Sequence, residues 1–165
     1  MKKENVPIGK LILQELKRQE YSIAWLSKKV YCRYGTLCKA LKRNHLNTAL
    51  LSDISKALKY DFFAHYSALL KEQSPDCIVE PFIEKGKDRV VIGKLIRRKL
   101  KEQERFVAWL ARKLDFRYST LCKILKRGEK LEKHNHIDTT LLYNISMVLK
   151  YDFFAHYSAM LEGEQ

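Results

Sequence analysis

The chain has 165 residues, 46% apolar and 31% charged, with a net charge of +13. That apolar content predicts a buried core rather than disorder. No apolar run approaches the ~20 residues of a membrane span and no apolar core follows Met1-Lys2-Lys3-Glu4, which points to a soluble, non-secreted, cytoplasmic protein.

Every element from Ile8 onward is written twice. Ile8–Arg43 aligns with Ile92–Arg127 without a gap, 22 of 36 positions being identical. The second copy then carries seven extra residues in "GEKLEKHNH", and Asn47–Leu70 aligns with Asp138–Leu161 at 17 of 24 positions. The decapeptide "KYDFFAHYSA" stands at 59–68 and again at 150–159. A unit of small-domain size has been duplicated whole. It is longer than a solenoid repeat, and two copies are too few for an array.

In chain order, Ile8, Leu11, Ile12 and Leu16, with Ile92, Leu95, Ile96 and Leu100, recur at helical spacing and predict a first helix. Ser22 precedes a short second helix, "IAWLSKKV", with Trp25, like Trp109, expected in the core. After "YCR" a third helix, "YGTLCKALKR", places Leu37 and Leu41 four apart, with Thr36 and Thr120 half inward and Asn44 or Gly128 as left-handed caps. Asn47 or Asp138 begins a fourth helix, and Asp61 or Asp152 a fifth, the decapeptide. Between the copies, "KEQSPDCIVEPFIEKGKDRVV" holds two prolines and a glycine, and reads as a partly docked connector with "CIVEPFI" as a short extended piece. The expected organisation is therefore all-α: residues 1–72, a linker 73–91, and residues 92–165.

Charge follows the repeat. Residues 8–70 carry +7, residues 92–161 carry +8 and the segment 71–91 carries −1. Two basic units favour an anionic partner, nucleic acid before an acidic membrane surface. Cys32, Cys38, Cys77 and Cys122 form neither a CxxC pair nor a disulfide framework, and read as small half-buried thiols.

The stretches "IAWLSKKVYCRYGTLCKALKR" and "VAWLARKLDFRYSTLCKILKR", followed by "TALLSDISKALKYDFF" and "TTLLYNISMVLKYDFF", resemble the helix-turn-helix domains of the lambda-repressor/Cro type. The pattern is one of packing: Leu26, Cys32, Leu37 and Leu41 in one copy, Leu110, Phe116, Leu121 and Leu125 in the other. Three features depart from the family. Tyr31 and Asp115 stand where it often has a turn glycine, Ile23 and Val107 where it often has a phosphate-touching Gln, and Arg33 and Arg117 where it has a capping Ser or Thr.

The resemblance implies two tandem five-helix domains whose third helices enter the major groove of double-stranded DNA. Carried over by position, the DNA-facing set is Arg33, Tyr34, Gly35, Cys38, Lys39, Lys42 and Arg43, with Arg117, Tyr118, Ser119, Cys122, Lys123, Lys126 and Arg127. Arginine suits guanine bidentately. Lys28, Lys29, Arg112 and Lys113 suit phosphate. The family binds half-sites roughly 34 Å apart as two-fold dimers, and a tandem chain carries both halves covalently. Differences at Gly35/Ser119 and Ala40/Ile124 suit an imperfect palindrome. The implied role is a bacterial or mobile-element transcription regulator without enzymatic activity, cofactor, metal or membrane.

Two rival readings stand beside it: an antitoxin-like protein-interaction module that kept the fold but lost base readout, and a low-specificity nucleic-acid binder, RNA included. The aromatic fifth helix, with Phe62, Phe63 and Tyr66 and their twins Phe153, Phe154 and Tyr157, either joins domain to domain or chain to chain, or closes each domain's own core. "HNH" at 134–136 lies in the seven-residue insertion and is not read as a nuclease or metal motif. His65 and His156 are read as packing residues.

Overall fold

Buried Ile8, Ile12 and Leu16 line one face of the first helix, α1 (Ile8–Arg18), with Lys17 and Arg18 at its carboxyl end, where cations complement the helix dipole. The computed structural model describes residues 6–80, 90–127 and 137–163, and over these the chain is all-helical apart from two isolated β-bridges. α2 (Ile23–Lys29) starts at Ser22, whose hydroxyl accepts the Trp25 amide at 3.0 Å. α3 (Tyr34–Leu41) buries Leu37 and Leu41. α4 (Thr48–Leu58) is capped by Asn47, whose Oδ1 accepts the Leu50 amide at 2.7 Å. α5 (Phe63–Gln73) is capped from two residues upstream: Asp61 Oδ1 accepts the amides of Phe63 at 2.9 Å and Ala64 at 3.3 Å.

The second copy repeats this order as α6 (Ile92–Glu102), α7 (Val107–Lys113), α8 (Tyr118–Arg127), α9 (Thr139–Leu149) and α10 (Phe154–Gly163). Asp138 and Asp152 cap α9 and α10. In each half the third helix rests on the first and second. The approach is close: a Cβ on Gly9 would lie 1.9 Å from the Leu41 carbonyl oxygen, so only glycine lets α1 meet the end of α3. Gln19 donates to the Leu58 carbonyl at 2.8 Å, and Gln103 to the Leu149 carbonyl at 2.7 Å, so in each half a glutamine ties the first helix to the fourth.

Several local expectations are corrected. Asn44 is not a left-handed cap, because α3 closes at Lys42 with right-handed geometry; Gly128 lies outside the described residues. The left-handed helix caps are instead Lys59 and Lys150, with φ 50° and 52°. They reverse the chain between the fourth and fifth helices, and the following amides bond back to Ser55 and Ser146. Trp25 and Trp109 are half-buried rather than core: Trp25 stacks on Tyr21 with centroids 3.8 Å apart, and Arg105 lies 4.7 Å over Trp109. Phe116 keeps an exposed edge where the smaller Cys32 is half-buried.

The halves meet along α4, α5, α9 and α10. The Thr48 amide donates to the Ile137 carbonyl at 2.9 Å, and the Thr139 amide to the Leu46 carbonyl at 2.8 Å. The Leu46 amide donates to Thr139 Oγ1 and the Ile137 amide to Thr48 Oγ1. Phe63 stacks on Tyr157, and Tyr66 on Phe154, each with centroids 4.6 Å apart. Contacts of the form i to j and j to i are those of a two-fold axis, here inside one chain. Phe62 and Phe153 are as deeply buried, but their aromatic partners are Tyr60 and Tyr151 of their own halves. These aromatic faces are thus buried within one chain.

Candidate nucleic-acid interface

α3 and α8 each turn one side to the core and the other to water. Leu37 and Leu41, and Leu121 and Leu125, are buried, which leaves the opposite side exposed at Gly35, Lys39, Lys42 and Arg43 and at Ser119, Lys123, Lys126 and Arg127, while Arg33, Tyr34, Arg117 and Tyr118 are exposed at the helix starts. Cys38 and Cys122 are half-buried at the edge of this face. Thr36 and Thr120 are exposed rather than half inward. The structure thus gathers the seven candidate residues of each half on or beside one surface.

Arg33 is the N-cap residue just before α3, in an extended conformation, and forms no side-chain cap. Its guanidinium and that of Arg117 are exposed. A Cβ on Gly35 would meet nothing within 4 Å, so no packing demand accounts for glycine there, and Ser119 occupies the same place in the twin. Tyr34 and Cys38 are one turn apart, as are Tyr118 and Cys122. In each pair hydrogen bonding with the thiol raises the tyrosine pKa, so both phenols are neutral donors at pH 7.

Between Arg33 and Arg43, and between Arg117 and Arg127, there is no acidic residue. Lys28, Lys29, Arg112 and Lys113 extend each cationic strip onto the preceding helix, where all four are exposed. Fields from such same-sign clusters add, so each strip can hold a polyanion. Among the described residues no group of three His, Cys, Asp or Glu side chains is placed to hold a metal, and no helix is long and apolar enough to cross a membrane. The residues 134–136 lie outside the described ones.

Two aromatics near the strips were not singled out from the sequence as contact residues. Tyr31, in the turn before α3, is 98% exposed with φ 52°, and Phe106, just before α7, is also exposed. For Tyr31 the signal was present: a tyrosine in a turn that Asp115 and glycine enter more easily. Phe106 carried none, since Ser22 occupies its place in the first copy.

No protein-family model matches the chain, and neither a curated protein nor a solved structure matches it.

Proposed function

We propose that the protein binds double-stranded DNA sequence-specifically, as a covalent pseudo-dimer of two helix-turn-helix domains of the lambda-repressor/Cro type, and acts as a regulator of transcription without enzymatic activity. The observation that carries this reading is that two acid-free basic helices, α3 and α8, stand exposed on halves joined by reciprocal two-fold contacts. B-form DNA offers the matching symmetry, with successive major-groove faces related by a local dyad. In this reading Arg33 and Arg117 read guanine edges, Tyr34 and Tyr118 donate to phosphate or lie on a thymine methyl, and the lysines neutralise phosphate. The differences at Gly35/Ser119 and Ala40/Ile124 give the two half-sites different sequences.

A second reading, a protein-interaction module that kept the fold, draws on Ile23 and Val107. Both pack against the core, where they can donate no side-chain hydrogen bond to phosphate. Anisotropy of a random 40-base-pair duplex, titrated at several salt concentrations, separates the two. Direct DNA binding predicts a steep salt slope, then a preferred site on selection from a random library. Arg33→Ala/Arg117→Ala should weaken the selected site more than random duplex, by about 1–3 kcal/mol per bidentate arginine lost. No binding tighter than millimolar at low salt sinks the DNA reading, and equal loss on both duplexes reassigns the arginines to phosphate.

A further inference from the structure

Lys59-Tyr60-Asp61 and Lys150-Tyr151-Asp152 are the same three residues in the same left-handed turn. In the second half this turn is occupied. The Ile78 amide donates to the Lys150 carbonyl at 2.9 Å, the Asp152 amide donates to the Ile78 carbonyl at 3.0 Å, and the Tyr151 hydroxyl donates to the Glu80 carbonyl at 2.8 Å. Two carboxylates flank this segment: Asp76 lies 3.5 Å from Lys150 Nζ, and Glu80 lies 3.6 Å from Lys99 Nζ. Residues 77–80, leaving a turn at Ser74–Cys77 and flanked by the carboxylates of Asp76 and Glu80, are thus an extended segment bound to a ready-made edge.

In the first half the same edge is present, and no other described segment bonds to its backbone. Among the described residues no backbone group meets the Lys59 carbonyl or the Asp61 amide. Tyr60 and His65 keep the hydroxyl-to-imidazole contact of their twins, 3.0 Å against 2.6 Å. With the imidazole donating, the Tyr60 O–H remains free to donate to a carbonyl, as Tyr151 does. Tyr60, Asp61 and His65 are half-buried where Tyr151, Asp152 and His156 are buried. The rim is less cationic than its twin, since Gln14 stands where Arg98 lines the second half, and one pair is reversed. Glu15 and Arg18 replace Lys99 and Glu102, Glu15 is paired with Arg18, and the Arg18 and Lys59 side chains stand out in water.

We propose that the Lys59–Asp61 turn of the first half, with Tyr60, His65 and Arg18 around it, is a docking slot for an extended acidic peptide of a partner protein, bound as residues 76–80 are bound by the second half. One backbone ladder step and two ion pairs give a weak, reversible contact, suited to a partner tethered nearby by other contacts. The slot is independent of the DNA reading, since it uses none of the α3 or α8 side chains.

The test is an NMR titration of the full-length chain with the blocked peptide Ser-Pro-Asp-Ser-Ile-Val-Glu, residues 74–80 with serine for Cys77. Saturable shifts at the amides of Lys59, Tyr60, Asp61 and His65 are expected, at millimolar affinity or tighter. The same peptide with Asn and Gln for its two carboxylates should bind about fivefold more weakly, the loss two exposed ion pairs give. It leaves the protein itself unaltered. No shift at 59–61 with several millimolar peptide overturns the proposal, as do shifts confined to 150–152, which would mean that only the slot already filled is competent.

Discussion

The decapeptide "KYDFFAHYSA" is one sequence in two environments. At 150–159 Tyr151, Asp152 and His156 are 3%, 1% and 4% exposed, whereas at 59–68 Tyr60, Asp61 and His65 stay half in water. The helices, their caps and the left-handed lysines are alike. The difference is that the chain leaving α5 passes over the second half, while among the described residues nothing passes over the first. Identical local chemistry thus sets a conformation, and the covering segment sets how much of it is dry.

The largest effect tests what the halves share. Phe63→Ala and Phe154→Ala each empty a fully buried site on the two-fold seam. Each should cost about 3–5 kcal/mol in urea unfolding, and a gap of more than about 1 kcal/mol between them would break the symmetry drawn above. Next comes the contrast itself. Tyr151→Phe removes a buried hydroxyl that bonds both Glu80 and His156, and should cost about 1–3 kcal/mol. Tyr60→Phe loses one bond in a half-exposed site and should cost about 0.5 kcal/mol or less. Equal losses would mean that the linker does not dry the second site in solution.

Alkaline pH gives a third handle. Burial pushes the pKa of Tyr66 and of Tyr151 up to about 12, and raises that of Tyr157 as well. These phenols hold their protons more tightly in the folded state. Their contribution is therefore intact below the ordinary tyrosine pKa near ~10 and is lost as pH rises through about 12. Stability should fall over that window, with a second, late phase in the ultraviolet tyrosinate signal. Tyr66→Phe should flatten the fall, and a single ionisation phase at the ordinary pKa would show the seam to be wet.

The smallest effect concerns the turns before α3 and α8. Tyr31 and Asp115 share φ 52°, which Asp adopts more easily than Tyr. Tyr31→Asp should stabilise by about 0.5–1 kcal/mol and Asp115→Tyr should destabilise by as much, read from thermal midpoints.

Much of the local design was legible. Ser22, Asn47, Asp138, Asp61 and Asp152 cap the helices they precede because a short polar side chain before an apolar run has few other uses. The candidate face on α3 and α8 was legible too, since buried Leu37 and Leu41 turn everything a half-turn away toward water. Lys59 and Lys150 were not, because a left-handed lysine has no compositional signal and is imposed by the tight reversal into the next helix. Nor was the half-burial of Trp25 and Trp109, as a short helix with Ala and Leu beside Trp does not say how deep the ring sits.

Residue type and spacing within short segments already specified the duplication, the ten helices of the described residues, the polar N-caps at Ser22, Asn47, Asp61, Asp138 and Asp152, and the basic side of each third helix. Long-range packing sets that Phe63 and Tyr66 face Tyr157 and Phe154 while the rings of Phe62 and Phe153 meet Tyr60 and Tyr151 of their own halves, and that residues 76–80 cover one decapeptide and not the other. Those outcomes depend on where chain segments far apart in sequence come to rest. Two identical stretches carry no information to tell them apart; only the segment that lies over one of them does.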